Sequence, residues 1–176
     1  MKEDKYEIAF IVNPISGTHS KADIPPLIDK ILDPSRFEVE VKLTEFAGHA
    51  AQLACEYAER GFDACVAVGG DGTVNEVARS LVHTGTALGI VPCGSGNGLA
   101  RHLCLPMDIR KSIEIINKCK IETFDYGIVN GQPFFCTCGM GFDAFISLKF
   151  AEAGKRGPIT YVENVLKDGL KYKPET

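Results

Sequence analysis

The sequence predicts an α/β fold: a mainly parallel, doubly wound sheet, followed by the beginning of a β-rich C-terminal domain. Three observations carry this expectation. Apolar runs of strand length alternate with stretches of helical period through most of the chain, as βαβ units require. Turns rich in Gly, Ser and Asn follow several of the apolar runs, where the strands of such a sheet hand over to helices. After Cys119 the character changes to alternating or continuous apolar runs around Asn130-Gly131, a dipeptide that favours a tight hairpin turn.

Taken in order, Tyr6 to Val12 reads as a strand, Ile24 to Leu32 as a helix, Phe37 to Leu43 as a second strand and Ala50 to Arg60 as a helix of high intrinsic propensity. The pattern then repeats. Ala64 to Val68 is a short β-rich run, Val74 to Leu81 a helix, Ala87 to Val91 another buried strand, and Leu99 to Leu103 a short helix stopped before Pro106. Ile109 to Cys119 again has helical spacing, and Glu122 to Val129 with Phe134 to Gly139 form the antiparallel pair. Tyr161 to Tyr172 predicts a closing helix. The change of pattern divides the chain into an α/β domain over 1–120 and the start of a second domain over 121–176.

With 176 residues, 45% of them hydrophobic, the chain can bury a core without a metal or disulfide staple. A net charge of -4 argues against non-specific attraction to nucleic acid, which needs a surplus of Lys and Arg. Contact with an anionic membrane would therefore need a local patch. The seven cysteines are odd in number, widely spaced and mostly inside apolar stretches, so they read as buried thiols in a reducing compartment. Cys136-x-Cys138 lacks a second ligand pair at zinc spacing. The N-terminus passes from charged residues into a short apolar run without a small-residue cleavage site, and no apolar run approaches the roughly eighteen residues of a membrane span. A cytoplasmic protein is expected.

The most informative stretch is VAVGGDGTVNEVARSL, in which a strand is expected to end at Val68 and a helix to begin near Val74. Gly69, Gly70 and Gly72 permit backbone conformations that let consecutive N–H groups converge on phosphate oxygens, and the helix N-terminus adds favourable partial charge. Asp71 is the odd member of that loop, because a carboxylate beside phosphates is repelled unless a metal ion or a proton transfer accounts for it. It reads either as a general base or Mg²⁺ contact, or as a turn Asp capping the helix. A second loop, VPCGSGNGLARHL, repeats strand, glycine-rich turn and helix, with Gly94, Gly96 and Gly98 flanking the small polar Ser95 and Asn97. In a third, IVNPISGTHS, Asn13-Pro14 favours a turn, Gly17 relaxes it, and Ser16, Thr18 and Ser20 supply hydroxyls. All three follow strands at the same end of a parallel sheet, where ligands bind. None is a Walker loop, since no Gly-Lys-Ser/Thr follows the glycines, and the dinucleotide fingerprint is missing from the first turn.

NPISG, Thr44 followed by Gly48-His49-Ala50, GGDGTVNEV and GSGNGLAR together resemble the diacylglycerol kinase catalytic domain family, which includes bacterial lipid kinases and sphingosine kinases; the resemblance runs from about Ile8 to Phe150. It implies an N-terminal domain similar to phosphofructokinase and NAD kinase, a β-rich C-terminal domain, and ATP with Mg²⁺ in the cleft between them. The expected nucleotide contacts are Asn13, Pro14, Ser16, Gly17, Thr44, Gly69, Gly70, Asp71, Gly72, Thr73, Asn75, Glu76, Gly94, Ser95, Gly96 and Asn97. The resemblance makes Asp71 the acceptor of the lipid hydroxyl proton, and sets Asp143, in CGMGFDA, against the lipid's polar head; by itself Asp143 also reads as a helix-start residue. Glu76 could touch ribose, hold the loop, or complement the helix dipole. Arg101 reads as a solvating or phosphate-contacting residue, and His102 as surface or core.

The expected activity is ATP-dependent phosphorylation of a hydroxyl on diacylglycerol or a sphingoid lipid, with peripheral membrane contact. The alternatives are a non-catalytic ATP-binding module and a kinase of a soluble substrate such as NAD. Gly98, where many diacylglycerol kinases have Asp, brings the second loop nearer the sphingosine kinase form. Family members run to about twice a single domain's length. A truncated, catalytically incomplete chain is therefore expected, with an exposed sheet face or edge that would favour homo-oligomers.

Overall fold

The computed structural model describes residues 5–17 and 23–152, with the backbone alone at positions 143 and 149–152. The expected helix over Tyr161 to Tyr172 lies outside the described residues. Residues up to Cys136 form one compact unit, and those from Thr137 a second.

The first unit is built on four strands, β1 (Tyr6–Val12), β2 (Phe37–Leu43), β3 (Ala64–Gly69) and β4 (Ala87–Pro92), in the order β2-β1-β3-β4. Every neighbouring pair is parallel, with Val12 of β1 beside Leu43 on one side and Val68 on the other. Parallel strands need crossovers that cover both faces, so the central strands read as unbroken apolar runs. Ile8 to Val12 are all buried. Alternation still sorts them: Ala9 and Ile11 face one core and Ile8, Phe10 and Val12 the other, as Cys65 and Ala67 are sorted from Val66 and Val68 on β3.

One core is covered by α1 (Ile24–Ile31) and α5 (Ile109–Ile116), through Ile24, Ile28 and Ile113. The other is covered by α2 (His49–Glu59), α3 (Asp71–Leu81) and the short α4 (Gly98–His102), through Leu53, Tyr57, Val74, Val77 and Leu99. Local chemistry starts these helices. Prolines occupy the first turn of α1, where no N–H is needed, and Asp108 caps α5 by accepting from the Lys111 N–H at 2.9 Å. Glu40 on β2 accepts from Tyr57 at 3.0 Å and Arg60 at 2.5 Å, tying the sheet edge to the end of α2. The Arg60 guanidinium holds the Glu40 carboxyl below its ordinary range.

The sheet expectations match closely, and the differences have physical causes. Helix α3 begins at Asp71, three residues before the apolar periodicity that announces it, because Gly70 is extended and the chain turns helical at once. The antiparallel pair is only β5 (Gly127–Val129) and β6 (Gln132–Phe134), joined by Asn130 and Gly131, both at positive φ as a two-residue hairpin requires. Pro133, opposite Ile128, has no N–H for the ladder. At the open end the Tyr126 hydroxyl lies 3.0 Å from His83 Nε2. The second unit contains α6 (Phe142–Glu152).

The cysteines correct the sequence reading. Of the seven free thiols only Cys65 is buried, while Cys55, Cys104, Cys136 and Cys138 are exposed. Burial in β3 pushes the Cys65 thiol up to about 12, so its thiolate is scarce at neutral pH. Iodoacetamide at about pH 8 should therefore alkylate the four exposed cysteines in the folded protein and Cys65 only after denaturant, read by mass spectrometry. Labelling of Cys65 as fast as the others would contradict its place in the sheet.

Candidate functional site

The segments after β1, β2, β3 and β4 all leave the sheet at the strands' C-terminal ends. The chain passes from β1 outward to β2 and later returns to place β3 on β1's other side, so the loops after β1 and β3 diverge at a topological switch point, where α/β sheets bind ligands. The Asn13 N–H donates to the Val68 carbonyl at 2.9 Å across that point.

The first turns of α3 send three side chains to three different segments. Asp71 accepts the Asn97 N–H at Oδ2, 2.8 Å, and the Gly98 N–H at Oδ1, 2.6 Å. Its carboxylate therefore satisfies donors at the start of α4; it is a cap, but for another helix than its own. Thr73, buried, accepts from Asn13 Nδ2 at 3.1 Å. Glu76 accepts the Gly48 N–H at 3.1 Å. Helix α3 thus ties together the loops after β4, β1 and β2.

Each loop is also braced internally. Asn97, in the left-handed region at φ 55°, accepts the Gly94 N–H at 2.9 Å and donates to the Gly94 carbonyl at 2.8 Å. Arg101 Nε donates to the Gly96 carbonyl at 2.8 Å, so this arginine holds the loop. The buried Ser16 hydroxyl donates to the Asn13 carbonyl at 3.0 Å, and Asn13 Oδ1 accepts the Ile15 N–H at 3.1 Å.

The glycines of the two principal loops are required by one another. A Cβ on Gly94 would lie 2.5 Å from Gly70 Cα and 2.9 Å from Asn97 Oδ1, and one on Gly96 would lie 2.8 Å from Asp71 Oδ2. Backbone here packs on backbone. Gly72, by contrast, has open space around it.

Of the residues expected at the site, Asn13, Gly70, Asp71, Thr73, Gly94, Gly96 and Asn97 are joined by these contacts. Asp71, Gly72, Ser95 and Gly96 are exposed, and Pro14 and Gly17 are exposed in the first loop. Thr44 is held from β2's side, its N–H donating to the Val12 carbonyl at 2.9 Å. Asn75 is half-buried on α3, and His102 is exposed. The Asp143 side chain, Thr18 and Ser20 lie outside the described residues; the Asp143 backbone is in the first turn of α6. The link from Asp71 to Asn97 and Gly98 left no trace in the sequence, because its partners are brought together only by the pairing of β3 with β4. Among the described residues no three His, Cys, Asp or Glu side chains cluster as a metal site, and no helix is long and apolar enough to cross a membrane.

Residues 7–129 match the family model of the diacylglycerol kinase catalytic domain. The chain is 36% identical over 135 residues to a diacylglycerol kinase of Bacillus subtilis, an alignment covering 74% of this chain and 44% of that protein. It is 35% identical over 127 residues to one of Staphylococcus saprophyticus, covering 70% and 41%. The crystal structure of a diacylglycerol kinase from Bacillus anthracis is similar with a TM-score of 0.65 at 29% identity, over 76% of this chain and 49% of that one. In each case the matched part is under half the relative's length.

The loop contact has a direct consequence for stability. Gly94→Ala should destabilise the chain by about 1–3 kcal/mol through overpacking, whereas Gly72→Ala should be neutral or stabilise by up to about 1 kcal/mol through helix propensity. Urea denaturation followed by circular dichroism checks both; equal effects would mean that the Gly70–Gly94 approach is not what requires glycine.

Proposed function

The chain belongs to the diacylglycerol kinase catalytic domain family, and on that premise we propose that it carries the ATP-binding part of a kinase that transfers the γ-phosphoryl group to a hydroxyl of diacylglycerol or a related sphingoid lipid, reached by peripheral contact with a membrane. The observation that carries the reading is the meeting of two glycine-rich loops at the switch-point edge, with Asp71 exposed between them.

Exposed backbone at Gly72, Ser95 and Gly96, beside the N-terminus of α3, supplies N–H groups and partial positive charge for the ATP phosphates. Asn13 and Thr44 flank them from the neighbouring strands. In the reaction the lipid hydroxyl oxygen bonds to the γ-phosphorus, the bond to the bridging oxygen breaks, and ADP leaves. The hydroxyl proton passes to Asp71, whose carboxylate oxygens each accept one N–H and keep a second lone pair. Holding Asp71 from two backbone donors fixes it without a flexible partner, and positioning supplies most of the acceleration in phosphoryl transfer. Mg²⁺ neutralises charge on the phosphate oxygens when bound. The residues suit it, because Mg²⁺ in kinase sites rests largely on the phosphates and waters rather than on a protein cage, and Asp71 at the junction would face it through a bound water while keeping a lone pair for the proton.

The test uses mixed micelles holding diacylglycerol or sphingosine with labelled ATP and Mg²⁺, and a protein in which this chain is joined to the part of the Bacillus subtilis relative that the match does not cover. Label should appear in the lipid, and Asp71→Asn should lower kcat by at least about a hundredfold. Tight ATP binding without labelling of either lipid would instead favour a nucleotide-binding module, and an unaffected Asp71→Asn variant would remove Asp71 from the chemistry.

A further inference from the structure

We propose that Cys136 is a specificity-determining residue, whose thiol bounds the side of Asp71 from which the lipid hydroxyl arrives, in room left free by Gly98. The inference rests on the kinase reading of the site and deepens it at the acceptor. The Asp71 carboxylate has two unlike sides. A Cβ on Gly96 would lie 2.8 Å from its Oδ2, and one on Gly98 would lie 3.6 Å from its Oδ1. Oδ2 therefore borders the loop proposed to hold the phosphates, and Oδ1 borders the start of α4. In phosphoryl transfer the attacking and leaving oxygens stand roughly in line, on opposite sides of the phosphorus. With the ATP phosphates along Gly72, Ser95 and Gly96, the hydroxyl comes to the Oδ1 side.

Cys136 stands at that side. The same Cβ on Gly98 would lie 3.2 Å from Cys136 Sγ, so the thiol and Asp71 Oδ1 adjoin one small space. The residues before Cys136 fix its position. The Pro133 carbonyl accepts Arg79 Nε at 3.0 Å, and Phe135 packs against the core with its ring 5.8 Å from that of Tyr126. Cys136, the next residue, is left exposed at the site's edge. Gly98 supplies Asp71 with an N–H and no side chain, so the room beside Oδ1 is bounded by the thiol alone of these two residues. A thiol is small and only weakly polar, and it selects by width more than by hydrogen bonding. The two candidate acceptors are both primary alcohols and differ at the next carbon, which bears an acyloxy group in diacylglycerol and an amino group in sphingosine. A larger side chain at position 136 therefore excludes diacylglycerol first.

The experiment uses the joined protein described above, with diacylglycerol and sphingosine presented separately in mixed micelles. It compares the wild type with Cys136→Leu, Cys136→Ala, Gly98→Ala and the Gly98→Ala/Cys136→Ala double variant, and reads kcat/KM for each lipid and KM for ATP. Cys136→Leu should lower kcat/KM for diacylglycerol at least about tenfold, the size of effect that added methylene groups have in a pocket, and lower that for sphingosine by less. KM for ATP should stay within about twofold, because the wall lies on the acceptor side. Gly98→Ala should act in the same direction, and by less in the Cys136→Ala background, since both side chains enter one space. Cys136→Ala should shift the preference toward diacylglycerol, and it carries the test if the Leu variant does not fold. Equal losses for both lipids in Cys136→Leu, an unmoved preference in Cys136→Ala, or a change confined to KM for ATP would overturn the proposal and leave the kinase reading standing. Labelling of neither lipid by the wild-type joined protein would instead remove the kinase reading, and this role for Cys136 with it.

Discussion

Gly70 and Gly94 meet backbone against backbone, and the arrangement of the whole sheet edge depends on that approach. Side chains at either position would hold β3's loop away from β4's. Asp71 would then no longer reach the N–H groups of Asn97 and Gly98, and the start of α4 would lose its acceptor. The contact is possible because the strands beneath it are paired in register, with Gly69 beside Pro92 and the Cys93 N–H donating to the Gly69 carbonyl at 2.7 Å. A buried parallel sheet is close-packed and moves little, so its edge can hold loops to tenths of an ångström.

From that point α3 works as the common support. Its N-terminal half ties the loops after β4, β1 and β2 through Asp71, Thr73 and Glu76, while its inner face packs Val74, Val77 and Leu81 into the core. Its C-terminal half holds the hairpin, through Arg79 Nε on the Pro133 carbonyl at 3.0 Å and, just past its end, His83 against Tyr126. One helix therefore joins the proposed ATP loops to the strands that lead out of the first unit. Polar ties of this kind are individually worth about 1 kcal/mol, but they share one rigid element and act together.

Tyr6–Val12 was legible because burial on both faces leaves an almost unbroken apolar run, and the edge strand Phe37–Leu43 because apolar and charged residues alternate along it; both have the bounds the sequence predicts. Helix α3 was legible only from Val74 onward, since Asp71 and Gly72 carry no apolar signal and their helical state comes from the turn at Gly70. The hairpin turn was plain from Asn130-Gly131, but the lengths of its strands were not, because a two-stranded ribbon takes its extent from what it packs against. The cysteines misled for a related reason: an apolar neighbourhood in sequence does not say which side of an element faces out.

The sequence by itself determined the order of strands and helices, the family, and the glycine, serine and asparagine character of the loops, because these depend on residue type and local period. Only the tertiary structure decided what the loop residues hold. Whether Asp71 caps its own helix or another, and which backbone N–H the Glu76 carboxylate accepts, depends on segments tens of positions apart in the chain. Strand pairing brings those segments together, and no local pattern of residues encodes a hydrogen bond whose two ends meet only across a finished sheet.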